Sequence, residues 1–148
     1  THLRDIRLMR RRIEENASAF NLKRGPGGTV DVEFVVQMLQ LRHGQERPAI
    51  LTANTLDAIK ALRSAELLAD EEADHWSRSY RFLRSIEARL RLMNTTARHD
   101  FPTDPVELRK LAFLLGYPSP TQLEEAFQTT MADNRRRFEH VFGAPSRV

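Results

Sequence analysis

Residues 23–34 are Lys-Arg-Gly-Pro-Gly-Gly-Thr-Val-Asp-Val-Glu-Phe, a basic, glycine-rich loop that runs directly into a hydrophobic helix. Glycines permit positive φ and close approach of the backbone. The start of a helix supplies free backbone N–H groups, and cationic side chains precede it here. This combination predicts a site for a phosphate, a metal ion or the charges of a partner. Its candidate residues are Lys23, Arg24, Gly25, Gly27, Gly28, Asp31, Glu33 and Gln37.

Two interpretations of this segment stay open. In one, the loop contacts a phosphate or nucleotide in a cleft between domains. In the other, it is a tight turn that caps a buried helix and packs against its neighbour, since the spacing matches neither a Walker nor a dinucleotide-binding loop. Asp31 and Glu33 point about 200° apart on a helix, so we expect no shared metal ion. We expect Asp31 to bond loop N–H groups or a cation, and Glu33, one turn before Gln37, to face a polar cleft.

The rest of the chain also has helical periodicity, and no strand alternation persists. The second helix should run from Gly28 or Thr29 to His43, and its apolar residues lie nearly all round, which predicts a central position. Asp70 should begin a long helix that extends to about residue 95. The sequence therefore predicts an all-α fold, an antiparallel bundle of five or six helices in a single domain, residues 1–148. Other predicted starts are Thr52 or Asn54, Asp104 and Ser119.

A second group of candidates lies on the long helix. Glu87 interrupts its apolar seam, and Arg84 and Arg91 lie three residues before and four residues after it, within reach on one face. We favour a structural ion-pair cluster, and the alternative is a charge that faces a substrate or a neighbouring domain. We expect His99 to form a local hydrogen bond beside Asp100.

Composition narrows the classes of function. The 148 residues contain no Cys, which excludes disulfides and thiolate metal sites, and no apolar run is long enough to span a bilayer. The formal net charge is +3, but no nucleic-acid motif accompanies it, and we expect Arg10–Arg12 and Arg135–Arg137 to lie on solvated helix faces. The histidines form no pair at metal-binding spacing, so we expect neither a metal site nor catalytic residues in this chain.

Several motifs occur in one order along nearly the whole chain. It resembles the helical domain that follows a nucleotidyltransferase domain in the glutamine synthetase adenylyltransferase (glutamate–ammonia-ligase adenylyltransferase) family, and a related helical region of the PII-uridylyltransferases. The Gly-Ser and paired-aspartate signature of the family's catalytic core is absent from the sequence. The motifs are the segment from Lys23 to Gln37, Asn54-Thr55-Leu56, Tyr80 to Leu92, His99-Asp100-Phe101-Pro102 and Arg137 to Phe142.

The resemblance implies a parent enzyme that transfers AMP from ATP to a tyrosine of glutamine synthetase and removes it by phosphorolysis. Mg²⁺ and ATP would be its cofactors, and the PII signalling protein and the adjacent nucleotidyltransferase domain its partners, in the cytoplasm. This chain alone would be inactive and bind neither cofactor tightly, with no nucleic acid or membrane partner. The domain would flank the nucleotide cleft and help to position glutamine synthetase. The alternative is a protein-interaction module without nucleotide contact.

The ends of the sequence suggest a fragment of a larger multidomain protein. The first residue is Thr1 rather than Met, and it opens inside a helical pattern. After Phe142 the chain continues into Gly-Ala-Pro-Ser, which favours the C-terminal, adenylylating half of the parent.

Overall fold

The computed structural model describes residues 2–15, 17–93 and 99–143. Over these residues the chain forms six α-helices and no strand beyond an isolated bridge between Asn21 and Asp100. The predicted all-α fold is confirmed. The helices are α1 (His2–Glu14), α2 (Thr29–His43), α3 (Thr55–Ser64), α4 (Asp70–Met93), α5 (Pro105–Leu114) and α6 (Pro120–Phe142), and a 3-10 turn, Pro48–Ile50, precedes α3.

Three helices begin at side-chain caps that the sequence predicted. Asn54, Asp104 and Ser119 each accept a hydrogen bond from the backbone N–H three residues on. Such a cap satisfies one of the N–H groups that the first turn leaves without a helical acceptor. Pro105 and Pro120 occupy the first helical positions of α5 and α6, where a missing N–H costs nothing.

The predicted limits of α2 and the predicted start of α4 also agree with the structure. α2 ends at His43, directly before Gly44, and α4 begins at Asp70. The predicted end of α4 near residue 95, the tail after Gly143 and Thr1 lie outside the described residues. No described helix combines the length and the apolar character needed to cross a membrane.

The core consists of two clusters that share α4 and α6. Trp76, early in α4, and Phe138, late in α6, belong to the first cluster. Leu90, late in α4, and Phe127, early in α6, belong to the second, where Phe127 stacks on Phe101 with ring centroids 4.1 Å apart. The two long helices are therefore antiparallel. α2 packs against α1, α3, α4 and α6, which confirms its predicted central position.

The prediction that both arginine runs lie on solvated faces is wrong for three of their residues. Arg11, Arg12 and Arg136 are exposed, but Arg10 is only 1% exposed, and the side chains of Arg135 and Arg137 are 15% and 20% exposed. Arg10 and Arg135 point towards the glycine-rich loop, where a carboxylate and carbonyl oxygens accept their N–H groups. Arg137 instead pairs with Glu72 and Asp133.

Candidate functional site

The backbone N–H groups of the glycine-rich loop are already used inside the fold. Lys23 and Arg24 N–H both donate to the side-chain oxygen of Asn21. At the start of α2, the N–H groups of Thr29 and Val30 donate to carbonyl oxygens of the preceding loop. The expectation of free donors at this helix end is therefore wrong, because the loop folds back and supplies its own acceptors. A phosphate here would have to rely on side chains.

The glycines of the segment allow backbone to approach backbone. Gly27 has φ +85°, and a Cβ at this position would lie 1.9 Å from the carbonyl oxygen of Met131 on α6. A Cβ on Gly28 would lie 2.6 Å from the carbonyl oxygen of Lys23, and one on Gly25 would lie 2.6 Å from that of Asn21. These separations are too short for any side chain, so the loop lies directly against α6 and against itself.

Asp31 ties this loop to two other helices. Its carboxylate is fully buried and accepts hydrogen bonds from Gly27 N–H at 2.6 Å, Arg10 Nε at 2.5 Å and an Arg135 guanidinium nitrogen at 3.2 Å. The predicted role of Asp31, bonding loop N–H groups or a cation, is confirmed. Arg10 also donates to the carbonyl oxygens of Arg24 and Gly25, so α1, the loop and α6 meet at one charged centre.

Two members of this centre, Arg10 and Asn134, are not among the candidate residues that the sequence predicted. Asn134 is fully buried, and its amide donates to the Gly27 carbonyl oxygen at 2.9 Å while its oxygen lies 2.8 Å from His75 Nε2. Both residues occupy apolar positions of a helical repeat, Arg10 on the Ile6 stripe and Asn134 after Met131. A polar residue at an apolar position of a helical stripe indicates a buried polar contact, and this pattern could have identified both residues.

Glu33 lies on the other side of α2, as the helical spacing predicted. Burial raises the pKa of Glu33 above its ordinary value, although Lys23, Arg84 and the hydroxyl of Tyr80 all favour the charged form. Gln37, one turn on, is exposed. Lys23, Glu33, Gln37, Tyr80 and Arg84 are called the polar face below. The structure thus separates the predicted segment into a buried charged centre and this face.

Glu87 lies next to the polar face and is almost fully buried. Its Oε2 is 3.6 Å from an Arg84 guanidinium nitrogen and 3.3 Å from His99 Nδ1. The predicted Arg84 partnership is confirmed, whereas Arg91 is exposed and His99 takes the third place in the cluster. The predicted local hydrogen bond of His99 beside Asp100 is wrong, because the fold brings its ring to α4 instead.

A metal ion does not fit the described residues. No group of three or more His, Cys, Asp or Glu side chains among them is placed to hold one. Asp31 is enclosed by two arginines, and Glu33 faces away from it, beside Lys23 and Arg84. The chemistry available at the polar face is therefore charge pairing and hydrogen bonding with a ligand or a neighbouring surface.

The raised pKa of Glu33 predicts how its replacement depends on pH. A carboxyl whose folded-state pKa lies above the unfolded value stabilises the fold at low pH and loses that contribution as pH rises through the folded pKa. Glu33→Gln should therefore be at least as stable as the unchanged chain at pH 7 and lose this advantage near pH 4. Thermal unfolding across that range measures it, and the exposed Glu46→Gln is the control. A Glu33→Gln chain that melts lower at pH 7 would contradict the proposed burial penalty.

Comparisons with known proteins identify one family model and several curated proteins that are similar to this chain. The chain matches the family model described as GlnD PII-uridylyltransferase over residues 4–144. Three curated relatives bear the name bifunctional glutamine synthetase adenylyltransferase/adenylyl-removing enzyme. The one from Streptomyces coelicolor is 38% identical over 147 residues, which cover 95% of this chain and 15% of the relative. The one from Leifsonia xyli subsp. xyli is 42% identical over 75% of this chain and 11% of the relative. The one from Bordetella pertussis is 36% identical over 90% of this chain and 14% of the relative.

Proposed function

This chain belongs to the family of PII-uridylyltransferases and glutamine synthetase adenylyltransferases, and we propose that it is the helical domain of a bifunctional glutamine synthetase adenylyltransferase/adenylyl-removing enzyme. It spans at most 15% of the length of the three relatives described above. Transfer of AMP from ATP to a tyrosine of glutamine synthetase, and its phosphorolytic removal, would therefore be activities of the whole protein. PII would be its regulatory partner and the cytoplasm its location.

The observation that supports this proposal is the state of Glu33. Burial penalises the charged form of this half-buried carboxyl group and raises its pKa, although Lys23, Tyr80 and Arg84 lie beside it. Perturbed ionisable groups of this kind concentrate at functional sites. We propose that the polar face borders the nucleotide cleft formed with the neighbouring nucleotidyltransferase domain.

The role of the chain in this proposal is to position reactants. Lys23 and Arg84 are cations that attract the phosphates of ATP, and Glu33 sets the orientation of these cations. The described residues do not fit Mg²⁺, so we assign the metal to the neighbouring domain and route no step of this chain through it. Correct placement of reactants alone accounts for large rate effects, even without a reacting group from this domain.

Two substitutions on the polar face test the proposal. Lys23→Ala and Glu33→Gln should leave the unfolding midpoint of the 148-residue chain nearly unchanged, because neither residue belongs to the buried charged centre. In the full-length enzyme each should lower AMP transfer to glutamine synthetase by roughly tenfold or more, the usual effect of losing a charged contact. Labelled ATP measures the transfer, and Lys60→Ala, an exposed lysine on α3, is the matched control. The chain alone should transfer no AMP.

The interaction-module alternative has its own supporting observation. Leu8 and Met9 on α1 are 44% and 57% exposed, which favours contact with another protein surface. Unchanged transfer in Lys23→Ala and Glu33→Gln, together with a loss in Met9→Ser, would replace the nucleotide-cleft proposal by this one. Melting of the chain by Lys23→Ala or Glu33→Gln, with activity falling only in proportion to folded protein, would show that the face is structural.

A further inference from the structure

A cleft of ≈ 400 Å³ separates the start of α3 from the middle of α4. Two arginines, Arg81 and Arg84, line it from α4, and Asn54 and Thr55 line it from α3. Arg81 makes no hydrogen bond or ion pair within the described part of the chain. Arg84 is half exposed, and its ion pair with Glu87 is long, at 3.6 Å. Two guanidinium groups with spare donors therefore border one concave space.

The opposite wall of the cleft supplies neutral donors. The Asn54 side chain caps only the N–H of Asp57, which leaves the N–H groups of Thr55 and Leu56 without helical acceptors. Thr55 itself lines this wall. The charges nearest this space are Arg81 and Arg84 on α4, Asp57 in the first turn of α3 and Glu87 beneath Arg84. Glu33 on α2 is also close, because its carboxyl group interacts with Arg84 and with the hydroxyl of Tyr80, which lines the cleft. Because Glu87 is buried behind Arg84, it orients that guanidinium rather than competing for the cleft.

We propose that this cleft binds a phosphoryl group, with Arg81 and Arg84 as the cationic side and the start of α3 as the neutral side. Planar guanidinium donors match the oxygens of a phosphate and bind them in pairs. The volume admits the group with part of a nucleotide attached. The binding site is argued from the cleft alone. Only the source of the phosphoryl group, a nucleotide or free phosphate, rests on the proposed function. The site adds Arg81 and the start of α3 to the cations of the polar face, since the backbone N–H groups of the glycine-rich loop are occupied.

The test is a titration of the 148-residue chain with inorganic phosphate and, separately, with metal-free ATP, followed by NMR. Signals of the Thr55 and Leu56 amides and of the Arg81 side chain should shift together. Arg81→Gln should weaken binding about tenfold or more, as expected for one charged contact. Arg109→Gln, an exposed arginine on α5 with the same change of net charge, should leave the affinity unchanged. Because Arg81 is exposed, Arg81→Gln should have the same melting temperature as the unchanged chain.

Each outcome decides the matter. Arg81-dependent shifts with both probes support the proposal, and tighter binding of ATP identifies the nucleotide as the source. Equal affinity for inorganic phosphate identifies free phosphate. Equal weakening by Arg109→Gln shows a non-specific effect of charge and overturns the proposal, as does the absence of shifts. In a third titration, with an acidic peptide, tighter binding of the peptide than of both probes overturns it in favour of a protein partner. If Lys23→Ala and Glu33→Gln still lower AMP transfer, only this inference fails and the proposed function stands.

Discussion

Asp31→Asn is expected to lower the free energy of unfolding by about 3–5 kcal/mol, because it leaves buried cations without their partner. Asp31 is the only carboxylate paired with Arg10 among the described residues, and Arg10 is 1% exposed. Arg135 retains Glu14 and Glu139 as partners, so most of the effect should come from Arg10. Asparagine keeps the shape of the side chain and removes only its charge, so the loss reports the ion pair rather than a cavity.

Thermal and urea unfolding of the 148-residue chain measure the effect, and a drop in the melting temperature of roughly 10 °C is expected for a domain of this size. Asp74→Asn is the matched control. Its carboxylate is 58% exposed and lies 3.2 Å from Arg63, and such surface pairs contribute about 1 kcal/mol or less. A loss below about 1 kcal/mol in Asp31→Asn would contradict the buried charged centre as the connection between α1, the loop and α6.

The helix limits were predictable because their signals are local. Asn54, Asp104 and Ser119 act on N–H groups three residues away, so the sequence near each cap determines the hydrogen bond. The central position of α2 was also predictable, since its apolar residues lie on nearly all sides of the helical wheel. The 3-10 turn Pro48–Ile50 was missed. It is fixed in part by Gln40, whose amide donates to the carbonyl oxygens of Ile50 and Thr52 at 2.9 Å.

The partners of the polar residues were less predictable, because distant parts of the chain supply them. Asn134 meets Gly27 across 107 residues, and Arg135 meets Asp31 across 104. A pattern of neighbours along one helix cannot identify such contacts. The same reason explains Glu87, for which the sequence predicted Arg91 from helical spacing and the fold supplies His99 from a later loop.

The motif from Lys23 to Gln37 therefore contains two physically different sets of residues. Gly25, Gly27, Gly28 and Asp31 are explained by packing and by the charged centre, and they need no ligand. Glu33 is explained by neither, since burial works against its charge and its cationic neighbours, Lys23 and Arg84, lie outside the buried charged centre. A motif that is continuous in sequence thus divides into a structural half and a candidate functional half across one helix. This division makes the two halves separable by substitution.

Gly27→Ala tests the structural half and should be the most damaging single-methyl change in the chain. The added Cβ would lie 1.9 Å from the Met131 carbonyl oxygen and 2.6 Å from its carbonyl carbon, in backbone that cannot swing aside as a side chain does. The φ of +85° adds strain of about 1 kcal/mol or more for any residue with a Cβ. Relief requires the loop to withdraw from α6, which breaks the Asn134 and Asp31 hydrogen bonds to Gly27.

Gly116→Ala separates the two causes, because Gly116 also has positive φ, +75°, but a Cβ there meets nothing within 4 Å. It should cost only the backbone strain, about 1 kcal/mol, whereas Gly27→Ala should cost several kcal/mol more or prevent folding. Urea midpoints at constant m value compare the two variants, and circular dichroism detects a chain that fails to fold. Equal losses in both variants would mean that strain alone explains Gly27. The loop would then not need its contact with α6, and the structural half of the motif would lose its explanation.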